Sequence, residues 1–498
     1  MDDIAKLKQD VRDGLIDADR LVDLLACTQQ QLHVALQRIA ELEKQLPNAP
    51  TTKLDEPYSL KAEEQRQQQR GRNKRRRPQN NRPGRITTAK KIAQAERTEQ
   101  VFPDNVPPSA CHLSHTRPIW RLENGRAVLV AYEVYRGPQN QYGQIPGALG
   151  RSEFGLEIIL AIAYQVYVVG LSFDKVCLLL NFFQNLRLRK SQVDALLHQL
   201  ARHWEEEFET LCTLLANSAV VHADETSWSL KSVWALLSEK ARVLLFGVNK
   251  NADTLKVLLD PATFAGLVIS DDAAVYAHFS QAQKCWAHLL RKAIKLTLHD
   301  PDNRDYRDFT DQLLAIYQKA NRIQGDGRLS KAGRERKVAD LEDDIYSLCE
   351  PWWLAEEPPL KGLAHDFQLL INEVMRLMLA QQLFTFVTAP AVEQPNGTTE
   401  RVSGTNNEAE RVLRNPAQAR NTGRTSKTYG GARRQTILVS VFESLRVFLT
   451  EYTISSVLTE IQRWSATGQS CFAELLGNLK IKPRSQSTLD LVYNPASG

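Results

Sequence analysis

The sequence predicts a multidomain α+β chain, and three observations predict it. The first 47 residues carry an apolar repeat of helical period. A run of one-signed basic charge follows, with little to bury. Past residue 219 the helical period gives way to short apolar runs, two of which end in an aspartate.

Composition bounds the answer. The chain has 498 residues, enough for about three domains, and its 43% hydrophobic content is ordinary for a globular protein. No stretch of about 20 uninterrupted apolar residues is present, so no membrane partner is expected. The amino terminus lacks the basic-then-apolar pattern of a signal peptide, and a cytoplasmic location is expected. Cys27, Cys111, Cys177, Cys212, Cys285, Cys349 and Cys471 are scattered and include no C-x-x-C pair, which fits reduced thiols rather than a disulfide framework.

Residues 1–47 read as one helix. Val11, Leu15, Ala18, Val22, Leu25, Gln29, Leu32, Leu36, Ile39, Glu43 and Leu46 alternate in steps of four and three, and nine of the eleven are apolar. That is the seam of a coiled coil and predicts a homodimer or higher oligomer. Pro47 and Pro50 end it. Residues 48–100 read as a disordered basic linker: from Arg66 to Lys91 there are eleven Lys or Arg residues and no acid. The net charge is only +5, so the rest of the chain is mildly acidic and the cationic field is local. Lys74, Arg75, Arg76 and Arg77 at its centre are candidate phosphate contacts.

Residues 101–150 form a small β-containing module of DNA-binding type. Trp120–Leu122 and Val128–Tyr132 flank Glu123-Asn124-Gly125-Arg126, a hairpin turn. Cys111, His112 and His115 precede it, but with no second ligand pair zinc is not expected. Residues 151–217 are helical, with Ser172 and Ser191 as N-caps. A short turn joins two of these helices in the manner of a helix-turn-helix, placing Arg187, Arg189, Lys190 and Gln192 for DNA contact; a plain helical bundle gives the same pattern.

Residues 218–298 change period. Val220–Ala223 is a short strand ending in Asp224, Val233–Leu237 and Val243–Val248 follow as strands, and Gly266–Ser270 ends in Asp271. A helix then runs through Cys285 to Leu296. Residues 299–395 are mostly helical and charged, an insertion before 396–450, where another helix opens over Glu408–Leu413. Residues 451–498 are a helical tail. Strands with acids at their ends, followed by a helix carrying a further acid, point to an RNase H-like domain interrupted by a helical insertion.

Carboxylates converging from separate elements suit hard divalent cations such as magnesium, and a phosphoryl-transfer site needs a few of them. Asp224 and Asp271 stand 47 residues apart, and Glu410 lies in Asn406-Asn407-Glu408-Ala409-Glu410-Arg411. Asp272 is an alternative to Asp271, and Glu408 occupies another helix face.

Four blocks carry a resemblance over about 150–450: His222-Ala223-Asp224-Glu225-Thr226-Ser227-Trp228; Ser270-Asp271 with Tyr276; Cys285-Trp286-Ala287-His288 with Arg291-Lys292; and Asn406–Arg411. The chain resembles the insertion sequence sixty-six family of bacterial DDE transposases. The resemblance implies catalytic, metal-holding roles for Asp224, Asp271 and Glu410, with Mg2+ as the ion and Mn2+ as its substitute, and a place for His288 near the scissile phosphate. It implies DNA partners (element ends and target), accessory transposition proteins and association with the nucleoid. Arg411, Arg414, Arg420, Arg424 and Lys427, with Arg433 and Arg434, are then expected on the DNA backbone. The chain departs from the family in lacking its paired upstream cysteines and in the form of Arg420–Lys427.

Overall fold

The structure, a computed structural model, describes residues 86–353 and 361–493. The expected coiled coil over 1–47, and Lys74, Arg75, Arg76 and Arg77, lie outside the described residues. Among the described residues no helix is long and apolar enough to cross a membrane.

The expected linker gives way to regular structure before residue 100. Helix α1 (Thr88–Ala93) is capped by the Thr87 hydroxyl, and β1 (Arg97–Val101) follows. β2 (His112–Glu123) and β3 (Arg126–Arg136) form the expected hairpin. Asn124 and Gly125 take φ of 48° and 77°, the left-handed pair a tight hairpin turn requires. β1 adds in parallel on the free side of β3, from Arg97↔Val130 to Val101↔Val134.

Four helices come next: α2 (Leu156–Tyr167), α3 (Phe173–Gln184), α4 (Lys190–His203) and α5 (Glu205–Ala216). Ser172 caps α3 by accepting from the Lys175 N–H. Ser191 does not cap α4, which starts one residue earlier; the Gln192 carboxamide instead accepts from the Arg189 N–H at 3.0 Å.

The central sheet has five strands: β4 (Val220–Ser227), β5 (Ser232–Ser238), β6 (Arg242–Val248), β7 (Leu267–Ser270) and β8 (Ala282–Lys284), with α6 (Ala252–Leu258) between β6 and β7. Its order is β6-β5-β4-β7-β8. The first three pair antiparallel, while β7 runs parallel to β4 and to β8. β4 does not stop at Asp224: pairing with β5 carries it to Ser227, and only its pairing with β7 ends, at His222↔Ile269.

Beyond the sheet lie α7 (Trp286–His299), α8 (Arg304–Gly325), α9 (Lys331–Trp353), α10 (Gly362–Leu379) and α11 (Thr385–Thr388). A two-stranded ribbon, β9 (Val392–Glu393) and β10 (Thr399–Glu400), leads to α12 (Asn407–Asn421) and α13 (Tyr429–Phe448). The described residues finish with α14 (Ile454–Thr467), α15 (Cys471–Asn478) and α16 (Thr488–Tyr493).

Alternation along the strands sorts the layers, since successive side chains point to opposite faces. Val221, Ala223 and Val268 join a core with α2, α4, α5 and α13. Val220, Leu267 and Ile269 join another with α7, α8, α9 and α10. β5 is buried along its whole length because Trp234 and Leu236 enter the first core while Val233, Ala235 and Leu237 pack with Ala409 and Leu413 of α12 and Ala432 and Val439 of α13.

Candidate active site

Register places the first two acids. The pairing of β4 with β7 runs Val220↔Leu267, Val221↔Val268 and His222↔Ile269. Asp224 stands two residues past the last of these pairs and Asp271 directly follows β7, so the same offset carries both towards one rim of the sheet. Both share the parity of Val220, Leu267 and Ile269, so both belong to the face covered by α7. Asp271 begins a tight turn, its Oδ1 accepting from the Ala273 N–H at 3.1 Å. Asp272 is turned to α10, where it pairs with Arg376. Of these two neighbours, it is Asp271 whose charge acts on Asp224.

The third acid comes in on α12. Asn406, fully buried, fixes the start of this helix: its side-chain amide donates to the Ala223 carbonyl at 2.8 Å, and its backbone N–H meets the Cys285 sulfur at 3.1 Å. The Trp286 N–H donates to the Gly404 carbonyl at 3.1 Å. β4, the first turn of α7 and the first turn of α12 are thus tied at one point. Glu410 then stands on α12 with its Oε1 3.7 Å from His288 Nδ1 and 2.5 Å from an Arg291 nitrogen. Glu408, two residues earlier, faces elsewhere and pairs with Arg242.

The electrostatics agree with this convergence. Burial pushes the Asp224 carboxyl up to about 7, and the charges of Glu225, Asp271 and Glu410 add to it. Burial, followed by the Arg291 charge, lowers His288, so its imidazole is neutral at pH 7. Burial raises Cys285, keeping it a thiol. Glu225 belongs to the opposite face of β4. It receives the Tyr276 hydroxyl and pairs with Lys250 at 2.7 Å. Neither contact was foreseen from the sequence, although Tyr276 and Glu225 both stand in the matching blocks.

Asp224, raised by burial and by neighbouring acids that include Asp271 and Glu410, is of the oxygen-donor type that suits a hard divalent cation. Among the described residues, Cys285, His288 and Glu410 are the group whose potential ligand atoms all lie within 4.8 Å of one another; Asp224, Asp271 and Glu410 are not drawn together that closely. Cys111, His112 and His115 form no such group in the described structure; Cys111 precedes β2, and the two histidines lie near its start, both exposed.

The expected DNA-contacting cations are dispersed. Arg187, Arg189 and Lys190 are exposed at the α3–α4 turn, with Lys190 paired to Asp174 at 2.7 Å. Arg411 and Arg414 are exposed on α12, while Lys427, past its end, is half-buried. Arg420 donates to the Ser227 carbonyl and Arg424 to that of Gly170, both at 2.9 Å. Arg433 and Arg434 are committed to the fold, pairing with Glu205 and Asp194 at 2.6 Å; Arg434 also bonds Tyr167 and is 9% exposed in its side chain.

A family model described as the Transposase IS66 family matches residues 151–434, more than half of the chain. No curated protein matches it.

Proposed function

The chain belongs to the IS66 family of transposases, and from that premise we propose that it cuts and joins DNA at a DDE site built from Asp224, Asp271 and Glu410. The observation that supports this is the approach of Asp271, from the end of β7, and Glu410, from α12, to Asp224 on β4, near enough for their charges to add to the burial that raises Asp224 to about 7. The mixed sheet, with three antiparallel strands followed by two parallel ones, supports an RNase H-like domain, and α8 to α10 would be the insertion in it.

Asp224, Asp271 and Glu410 would hold Mg2+, with Mn2+ as a substitute. When bound there, the ions would supply Lewis acids beside the attacking and leaving oxygens. The His288 imidazole would orient Glu410 or donate to a phosphate oxygen. Arg291 pairs with Glu410. Cys285 accepts a backbone hydrogen bond and takes no covalent part. Water would attack the phosphodiester at an element end and release the strand 3′-hydroxyl, and that hydroxyl would in turn attack a target phosphodiester, breaking its P–O bond and releasing a target 3′-hydroxyl. The partners would be element ends and target DNA, held by an oligomer joined through residues 1–47 with accessory transposition proteins, at the nucleoid.

The test is strand cleavage and joining on plasmid DNA carrying the segments that flank the gene, with and without Mg2+. Asp224→Asn, Asp271→Asn and Glu410→Gln should each lower the rate at least about a hundredfold, the scale of losing a group that stabilises developing charge. Duplex binding in a gel shift should stay near wild type. Near-normal cleavage by any one variant would remove that residue from the site.

A further inference from the structure

Helix α7 carries more than its first turn brings to the acids. Its fourteen residues, Trp286–His299, include no acid. Trp286, Leu289, Ala293 and Leu296 are buried under it. His288, Lys292, Lys295 and His299 are spaced by four, three and four residues, so they share one face. All four line a cleft of about 880 Å³ that also contains Asp271. The row starts at the acidic site and runs away from it for about 16 Å, at about 1.5 Å per residue.

The opposite wall has a different chemistry. It is α10, which presents Asp366, Leu369, Glu373 and Arg376 to the same cleft, with Leu369 52% exposed and Arg376 already paired to Asp272. One wall is therefore cationic, and the other combines apolar surface with carboxylates and an arginine held by an acid. A duplex would bring a phosphate backbone to both walls, and the acids of α10 would repel one of them. A single strand matches the asymmetry: its phosphates face α7, while its bases lie on leucine and offer amino groups to the carboxylates. Stacked phosphates advance about 3.4 Å along a strand, so the row spans a few nucleotides. Two ion pairs cross this region, Lys292 with Glu373 and Arg376 with Asp272. Lys292 and Arg376 are 51% and 55% exposed but Glu373 and Asp272 only 15% and 30%, so a strand that takes the cations must also offer donors, such as base amino groups, to the acids.

We propose that the α7–α10 cleft is a track for an unpaired DNA strand adjoining the cleaved phosphate, with Lys292 and Lys295 on its phosphates. The proposal rests on the transposase reading above, and its test separates the two. The probes are a blunt duplex and the same duplex carrying an unpaired four-nucleotide tail, bound to the full chain in Ca2+ to suppress cleavage. Wild type should bind the tailed probe several-fold more tightly. The Lys292→Ala/Lys295→Ala variant should bind both probes equally, at the wild-type blunt affinity. Its salt slope on the tailed probe should be shallower by up to about 0.7 per lost contact. Lys295→Met, which keeps most of the side-chain volume at an exposed position, should show part of the same loss and guards against misfolding of the double variant. A wild type with no preference for the tail, or a preference that survives in both variants, overturns the track while leaving the transposase reading intact. A wild type that binds neither probe and cleaves no DNA overturns that reading first.

Discussion

Asp224 ordinarily titrates at 3.8 and does so at about 7 in the fold. Its folded value is raised, so the stability of the protonated group is complete below about 3.8 and is lost as pH rises through 7. Without divalent ions, Asp224→Asn should therefore be more stable than wild type at pH 8, by up to about 4 kcal/mol for a shift of this size. The gap should narrow towards pH 5. Mg2+ should stabilise wild type and leave the variant unchanged. Thermal unfolding at the two pH values, with chelator and with Mg2+, measures this; an Asn variant less stable than wild type at pH 8 in chelator would refute it. Such an acid is legible in sequence because it ends an apolar run, and Asp271 could be seen in the same way. What the sequence withholds is pairing across long separations. Nothing near Asp272 announces its pairing with Arg376, and nothing near Glu410 announces Arg291.

The elements that hold the site do so with polar contacts that hydrophobic periodicity does not reveal. β6 is an edge strand, and α13 covers the edge. Thr436, Ser440 and Ser444 recur every four residues, and their hydroxyls accept from the N–H groups of Phe246, Leu244 and Arg242, each at 2.9 Å. Edge donors that would otherwise be unpaired are satisfied, and the strand is closed to another chain. The triple variant Thr436→Val/Ser440→Ala/Ser444→Ala should lose about 1–3 kcal/mol for each orphaned N–H and aggregate more readily, measured by denaturant unfolding and light scattering. An unchanged unfolding midpoint would show that water reaches this edge. Asn406 works in the same way at the head of α12. β8 escaped the sequence reading for a related reason: Gln283 and Lys284 are buried but polar, Gln283 bonding Leu383 and Phe386, and a three-residue strand leaves no period. β1 was hidden by exposure, because Arg97-Thr98-Glu99-Gln100 makes an edge strand with almost nothing to bury. The β2–β3 hairpin was legible because Asn124-Gly125 encodes its own turn.

At the scale of the whole molecule, the acidic site is one part of a larger DNA-handling chain, and the amino-terminal segments should add assembly and affinity. The heptad seam from Val11 to Leu46 predicts that removing residues 1–47 lowers the oligomeric state. Equal masses for the full-length and truncated chains in light scattering would refute this. The basic run is a separate matter. From Arg66 to Lys91 it has eleven positive charges, no acid and no aromatic side chain. With no aromatic ring, histidine or leucine, it has none of the side chains against which the α7–α10 cleft would lay bases. Its cations should therefore meet phosphates, which every sequence presents alike, and release counterions in doing so. Replacing Lys74, Arg75, Arg76 and Arg77 with Ala should weaken binding to cognate and random duplexes by similar factors. The slope of log affinity against log salt should become shallower by up to about 0.9 per lost duplex contact. The preference for a tailed probe, assigned above to Lys292 and Lys295, should survive, because these arm charges do not distinguish paired from unpaired DNA. If the change weakened cognate binding alone and left the salt slope untouched, the run would be reading sequence, and its affinity would have to come from contacts that its composition does not provide.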